Sequence, residues 1–244
     1  MKQIPHPKNS RGCPTFCSAL AILLVVSAIH PALGDLIDDS RARIPVEKTF
    51  ATRLAHAALD RTRHTVRYEP AYVSLTYPGG DVPAETGVCT DEVIRAYRAL
   101  GFDLQKLVHE DMKKNFTLYP KIWGLRTTDK NIDHRRVPNL QTFFKRKGAS
   151  LPISDNSSEY LPGDLITCIV AGKLPHIALV VPSPTGSGAP WIVHNIGGGP
   201  QLEDRLFEFP LTGHYRYHPQ DCPRSTGGRG ECTLRDRVLP ARHG

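Results

Sequence analysis

ETGVCTDEVIRAYRALG, residues 85–101, sets a lone cysteine directly before an amphipathic run, and the reading of that run decides the fold. Cys89, Val93, Ala96 and Leu100 recur at i, i+4, i+7 and i+11, the spacing of one helix face, and Gly101 follows as a stop. Asp91 and Glu92 fall in the first turn, where negative charge suits the helix dipole. The pattern predicts a helix whose first residue is Cys89, pointing inward.

Working outward, Asp103 is positioned to cap a second helix carrying Leu104, Leu107, Val108 and Met112. Upstream, Val46, Phe50, Leu54, Ala58 and Leu59 predict a helix running to about Arg63. TVRYEPAYVSLTYPGGDVP then reads as a short strand and loops. Residues 117–136 have no clean period, and Pro138 opens a further helix through Phe143 and Phe144, closed by Gly148. Beyond it the texture changes. GDLITCIV, HIALVV, WIVHNIG and FEFPLTGHYRYH read as strands parted by Gly and Pro turns. Helices first and strands later predict an α+β domain, its N-terminal helices packed on a C-terminal, mostly antiparallel sheet.

The first 34 residues read differently. A leader with Lys2, Lys8 and Arg11, an apolar run from Phe16 to Ala28 and the small-residue stretch Ala32-Leu33-Gly34 have the form of a secretory signal peptide cleaved near Gly34. The apolar run is shorter than the roughly 20 residues that span a bilayer, and no other stretch approaches that length, so no integral span is expected after cleavage. The expected organisation is signal peptide 1–34, flexible lead-in 35–45, α+β domain 46–218 and tail 219–244, in a bacterial periplasm or otherwise exported.

Cleavage removes three basic side chains and leaves 28 Lys and Arg against 24 Asp and Glu, a balance of +4. Without a basic, aromatic-interleaved stripe this does not point to nucleic acid; it suits approach to an anionic polymer such as the cell wall. Four cysteines remain: Cys89, Cys168, Cys222 and Cys232. DCPRSTGGRGEC invites a disulfide between the last two, leaving Cys89 and Cys168 free or bonded to each other.

A helix N-terminus lowers a thiol pKa, so the position of Cys89 favours a nucleophile that alkylates rapidly at neutral pH. His176, at the start of HIALVV, is the candidate base, and His194 or Asn195 on the next strand is the candidate orienting residue. The Cys89 N–H is then an oxyanion donor. Within NIDHRR, Arg135 or Arg136 could grip a substrate carboxylate, with His134 an alternative base. Cys89, His176 and His194 could instead hold zinc, although no CxxC or HExxH spacing supports a metal. Cys168 lies in an apolar strand and reads as core.

GVCTDEVIRAYRALG, LPGDLITC, PHIALVV and WIVHN together resemble the Cys, Pro-Gly-Asp, His and third-residue stations of the NlpC-type cell-wall cysteine peptidases, a papain-like superfamily. Longer blocks, among them GVCTDEVIRAYRALGFDLQKLVHEDM, NIDHRRVPNLQTFF and VHNIGGGPQLEDRLFEFPLTGHYRY, resemble domain-of-unknown-function family 1287 over roughly residues 46–218. The resemblance implies a papain-like fold and a cofactor-free hydrolase of peptidoglycan stem peptides, with Cys89 as nucleophile, His176 as base and His194 as orienting residue. Gly-Val-Cys-Thr-Asp departs from the small Asp-Cys-Ser-Gly type turn of those enzymes. The rivals are a wall-binding module using the same cleft and a zinc hydrolase.

Overall fold

The computed structural model describes residues 49–186 and 188–219. The leader, the lead-in, Cys222 and Cys232 lie outside the described residues. Helix α1 spans Phe50–Arg61, with the Thr49 hydroxyl accepting from Thr52 N–H at 3.3 Å as its cap. The expected start at Val46 lies outside the described residues, and the end falls two residues earlier than expected. Strand β1 (Arg67–Tyr68) pairs in parallel with β2 (Thr86–Gly87), a two-stranded ribbon that delivers the chain to α2 (Cys89–Ala99). Helix α3 (Leu104–Lys114) carries the predicted cap, Asp103 Oδ1 accepting from Gln105 N–H at 3.0 Å. Helix α4 (Val137–Arg146) begins with a proline in its first turn and ends before Gly148, whose φ of +69° suits a residue without a Cβ.

Six strands follow: β3 (Ser150–Leu151), β4 (Leu165–Val170), β5 (Leu174–Val181), β6 (Trp191–His194), β7 (Gln201–Glu203) and β8 (Leu211–Tyr215). They form one sheet in the order β3-β8-β4-β5-β6-β7 with every neighbouring pair antiparallel. The α+β expectation is met. Strands β3 and β7 escaped the sequence pattern because two or three residues carry no period.

Alternation along β5 divides the sheet's surroundings. Ile177, Leu179 and Val181 join the helix-side core with Leu54, Val93, Tyr97, Leu140 and Phe144. Ala178 and Val180 join a smaller core with Tyr160, Ile166, Ile192 and Leu206 on the other face. Two covered faces explain why β4 and β5 read as continuous apolar runs.

Helix α2 packs against α1, α3 and β5 and is buried from Cys89 to Tyr97. The one-face expectation is thereby corrected: Asp91, Glu92 and Arg95 are buried too. Each has a partner, since an isolated buried charge is costly. Glu92 Oε2 accepts from Arg61 Nε at 2.8 Å, and Arg95 Nε donates to Asp81 Oδ2 at 3.0 Å.

The Pro-Gly-Asp turn before β4 is structural. Gly163 has φ +95°, and a Cβ there would stand 2.6 Å from the Ala51 carbonyl oxygen, so only glycine lets this turn lie against α1. Asp164 Oδ1 accepts from Arg216 Nε at 2.7 Å, and its Oδ2 is 2.8 Å from His214 Nε2. Burial acts to raise the Asp164 pKa, but these bonds outweigh it and hold it below the usual carboxylate value. No described helix is long and apolar enough to cross a membrane.

Candidate functional site

Cys89 is the first residue of α2 and 5% exposed. Its thiol is within reach of the backbone N–H of Ile177, the residue after His176, and both that group and the Thr90 N–H act to stabilise a thiolate. Burial opposes them and wins, with help from the charge of Asp91, pushing the thiol up to about 12. The helix N-terminus alone would lower this pKa. Desolvation at a fully enclosed position reverses its sign. Cys168, also buried and pushed up to about 11 by burial, pairs across β4 and β5 with His176. Both cysteines are free thiols.

Alkylation of Cys89 should therefore be slow at neutral pH. Its rate with iodoacetamide, followed by mass analysis of the peptide carrying Cys89, is expected to rise about tenfold per pH unit from pH 7 to pH 10 without levelling. A plateau near neutrality would mean a preformed thiolate.

The histidines meet. His176 Nε2 lies 3.0 Å from His194 Nδ1, with ring centroids 5.1 Å apart at 73°. The register explains this: Val193 pairs with Leu179 and Ile192 with Val180, so His194 falls on the same face as His176, one diagonal step along the neighbouring strand. His194 Nε2 in turn lies 2.6 Å from Glu203 Oε2. Glu203 stands opposite Ile192 on β7, and the pattern reading missed it because that strand is three residues long and becomes a neighbour only through the sheet. With both ring nitrogens so engaged, His194 has none left for a metal ion, and no group of three or more suitable ligands occurs among the described residues.

Asn195 does not join this chain. Its Oδ1 accepts from Gly197 N–H at 3.0 Å, shaping the turn after β6, and its buried Nδ2 makes no hydrogen bond. A second residue missed from sequence is Tyr68 on β1, partly exposed and close enough to Cys89 and Asp91 that their negative charges help raise its pKa. Burial is the larger cause, and together they push it to about 12, so its hydroxyl keeps its proton at neutral pH.

At Arg135 the expected substrate grip is corrected. Arg135 is 7% exposed and committed inside the protein: Nε and Nη2 bond Asp91 Oδ1 and Oδ2 at 2.9 and 3.0 Å, and Nη1 donates to the Ala71 carbonyl at 3.1 Å. Asp91 Oδ2 also accepts from Val88 N–H at 2.8 Å, so the pair anchors the N-terminus of the cysteine helix. Arg136 stacks its guanidinium 4.0 Å from the Trp123 ring centre. His134 is buried among Arg135, Arg98 and His109 rather than beside Cys89, and its Nδ1 has no hydrogen-bond partner.

Burial pushes both His134 and His176 down to about 3, helped by Arg135 at the first and His194 at the second. Both fold as neutral imidazoles. The unfolded chain binds protons below about pH 6.5, so this stability is complete above that value and is lost as pH falls toward 3. Each histidine costs roughly 1.4 kcal/mol per pH unit within that window. Glu92 and Asp133, whose pKa values burial raises, act in the opposite direction. Urea midpoints measured from pH 7 to pH 4 should fall, and His134→Gln should flatten the slope. A level profile in both proteins would refute the neutral-histidine assignment.

The model of the family described as "Domain of unknown function (DUF1287)" matches residues 55–217. The chain is 47% identical over 199 residues to "Uncharacterized protein YijF" of Escherichia coli (strain K12), covering 82% of this chain and 96% of that protein. Among solved structures, "Structure of NlpC1 from Trichomonas vaginalis" aligns with a TM-score of 0.37 and 16% identity. That alignment covers 68% of this chain, which spans 44% of that protein's length. The family model matches the helices and sheet that carry Cys89, His176, His194 and Glu203, and the chain belongs to domain-of-unknown-function family 1287.

Proposed function

We propose that this protein is an exported cysteine hydrolase of papain-like, NlpC-type architecture that cuts a peptide or amide bond in peptidoglycan stem peptides. Residues 46–218 form the catalytic unit, and residues 1–34 are the leader removed on export. The observation that carries this reading is the hydrogen-bonded chain from His176 through His194 to Glu203, which starts at the residue before Ile177, whose N–H reaches the sulfur at the start of α2. A packed core requires no such series of buried polar groups; a nucleophile with a base and an oriented second imidazole does.

In the reaction, Cys89 Sγ attacks the carbonyl carbon while His176 takes the thiol proton. The resting pair is neutral, because burial disfavours both the thiolate and the imidazolium. Charge develops only as the bond forms. The oxyanion accepts from the Cys89 N–H and the Tyr68 hydroxyl. Collapse breaks the C–N bond, the amine leaves with the proton from His176, and a thioester remains. Water, deprotonated by His176, then releases the acid and restores the thiol.

A wall-binding module is the second reading, and the neutral, enclosed Cys89 and His176 favour it. The test is incubation with purified peptidoglycan and its soluble fragments, with mass analysis of the products. Hydrolysis yields shortened fragments and new amino termini. Pelleting with the wall and no released peptides would replace the enzyme with the binding module.

A further inference from the structure

We infer that Glu203 is a positioning residue that dictates which nitrogens of His194 and His176 carry protons, leaving Nδ1 of His176 as the basic atom available to Cys89. The kinetic part of this assignment rests on the proposed hydrolase reading; the proton positions do not.

A carboxylate only accepts, so the 2.6 Å contact with Glu203 Oε2 requires a proton on His194 Nε2. A neutral imidazole has one N–H, and Nδ1 of His194 is therefore a lone pair. The 3.0 Å contact there then requires a proton on His176 Nε2. Nδ1 of His176 is left unprotonated, a lone pair on the ring atom away from the His194 contact. The opposite arrangement, with the proton of His194 on Nδ1, would force His176 to carry its own proton on Nδ1 and cancel its basicity toward the thiol.

The carboxylate is itself aimed. Glu203 Oε1 lies 3.2 Å from Arg205 Nε, which leaves Oε2 to His194, whose side chain is fully enclosed. No water can substitute at His194 without entering the core. One acceptor on a short edge strand thus sets the direction of two hydrogen bonds toward the nucleophile. The same logic holds where a buried carboxylate orients a catalytic imidazole, and the wrong tautomer there costs about 10⁴ in rate.

The test reads tautomers directly. Long-range 1H–15N correlation spectra of the full chain, with the two rings identified by loss of their signals in His176→Asn and His194→Asn, should show both rings protonated at Nε2. Glu203→Gln keeps the shape but supplies a group that both donates and accepts, so both tautomers of His194 should become populated. With peptidoglycan fragments as substrate, kcat should fall roughly 10²-fold with little change in KM. A role confined to holding β7 on β6 would change the melting temperature and leave the tautomers alone.

His176 protonated at Nδ1 in the wild type, or wild-type tautomers persisting in Glu203→Gln, overturns the assignment. The expected spectra from a wild type that releases no wall peptides would sink the hydrolase reading and leave the Glu203 assignment standing.

Discussion

If the proposed hydrolase reading holds, replacing Cys89 by alanine is expected to lower the release of wall peptides by at least about 10⁴-fold while leaving the protein folded, because the variant lacks the sulfur proposed to form the thioester. The structural cost is small. The side chain loses one sulfur from a site packed by Val93 and Ile177, a change of about 1 kcal/mol. Rate and stability therefore separate cleanly at this position. Turnover is measured by the appearance of new amino termini, and stability by thermal unfolding of the same preparations. Cys89→Ser gives a stringent comparison: the hydroxyl occupies nearly the same space, yet a neutral His176 must then deprotonate an alcohol. Activity retained in Cys89→Ala at the wild-type level would remove Cys89 from the mechanism. Retained binding to the wall in the same variant is compatible with either reading and decides nothing by itself, so the rate is the quantity to follow.

Arg135→Ala is expected to cost roughly 3–5 kcal/mol of folding stability. Arg135 and Asp91 have side chains only 2% exposed, and two parallel bonds join them. Removing the cation leaves a carboxylate buried without its partner and frees the carbonyl of Ala71. The damage falls on the first turn of α2, because Asp91 also accepts the Val88 N–H and Thr90 Oγ1 donates to the Arg135 carbonyl. Cys89 sits in that turn, so activity should be lost along with stability. Urea unfolding at neutral pH measures the cost. The double replacement Arg135→Met with Asp91→Leu removes both charges and should recover part of it, since an absent pair is cheaper than half of one. A loss below about 1 kcal/mol in Arg135→Ala would refute the anchoring role.

These two positions also mark where sequence reading succeeds and where it stops. Cys89 was visible because its helix is encoded locally: apolar spacing, an acidic first turn, and Gly101 at φ +89° to end it. Asp103 and Gly148 were legible for the same reason, each acting on backbone a few residues away. His176 and His194 could be suspected as neighbours because consecutive antiparallel strands follow from short turns. Arg135, 44 residues from Asp91, carried no such signal. In sequence it was one charge in a polar run, read as a grip for a substrate carboxylate.

By itself, then, the sequence determined the positions of the helices, the main strands and the neighbourhood of His176 and His194, because each depends on torsions and periodicities within a few residues. The tertiary structure decided the rest: that Glu203 completes the chain, that Arg135 is an anchor rather than a substrate grip, and that the Cys89 thiol is pushed up rather than down. Those three outcomes turn on which groups lose water and which distant groups replace it. Desolvation belongs to the packed molecule, and no local stretch of the chain encodes it.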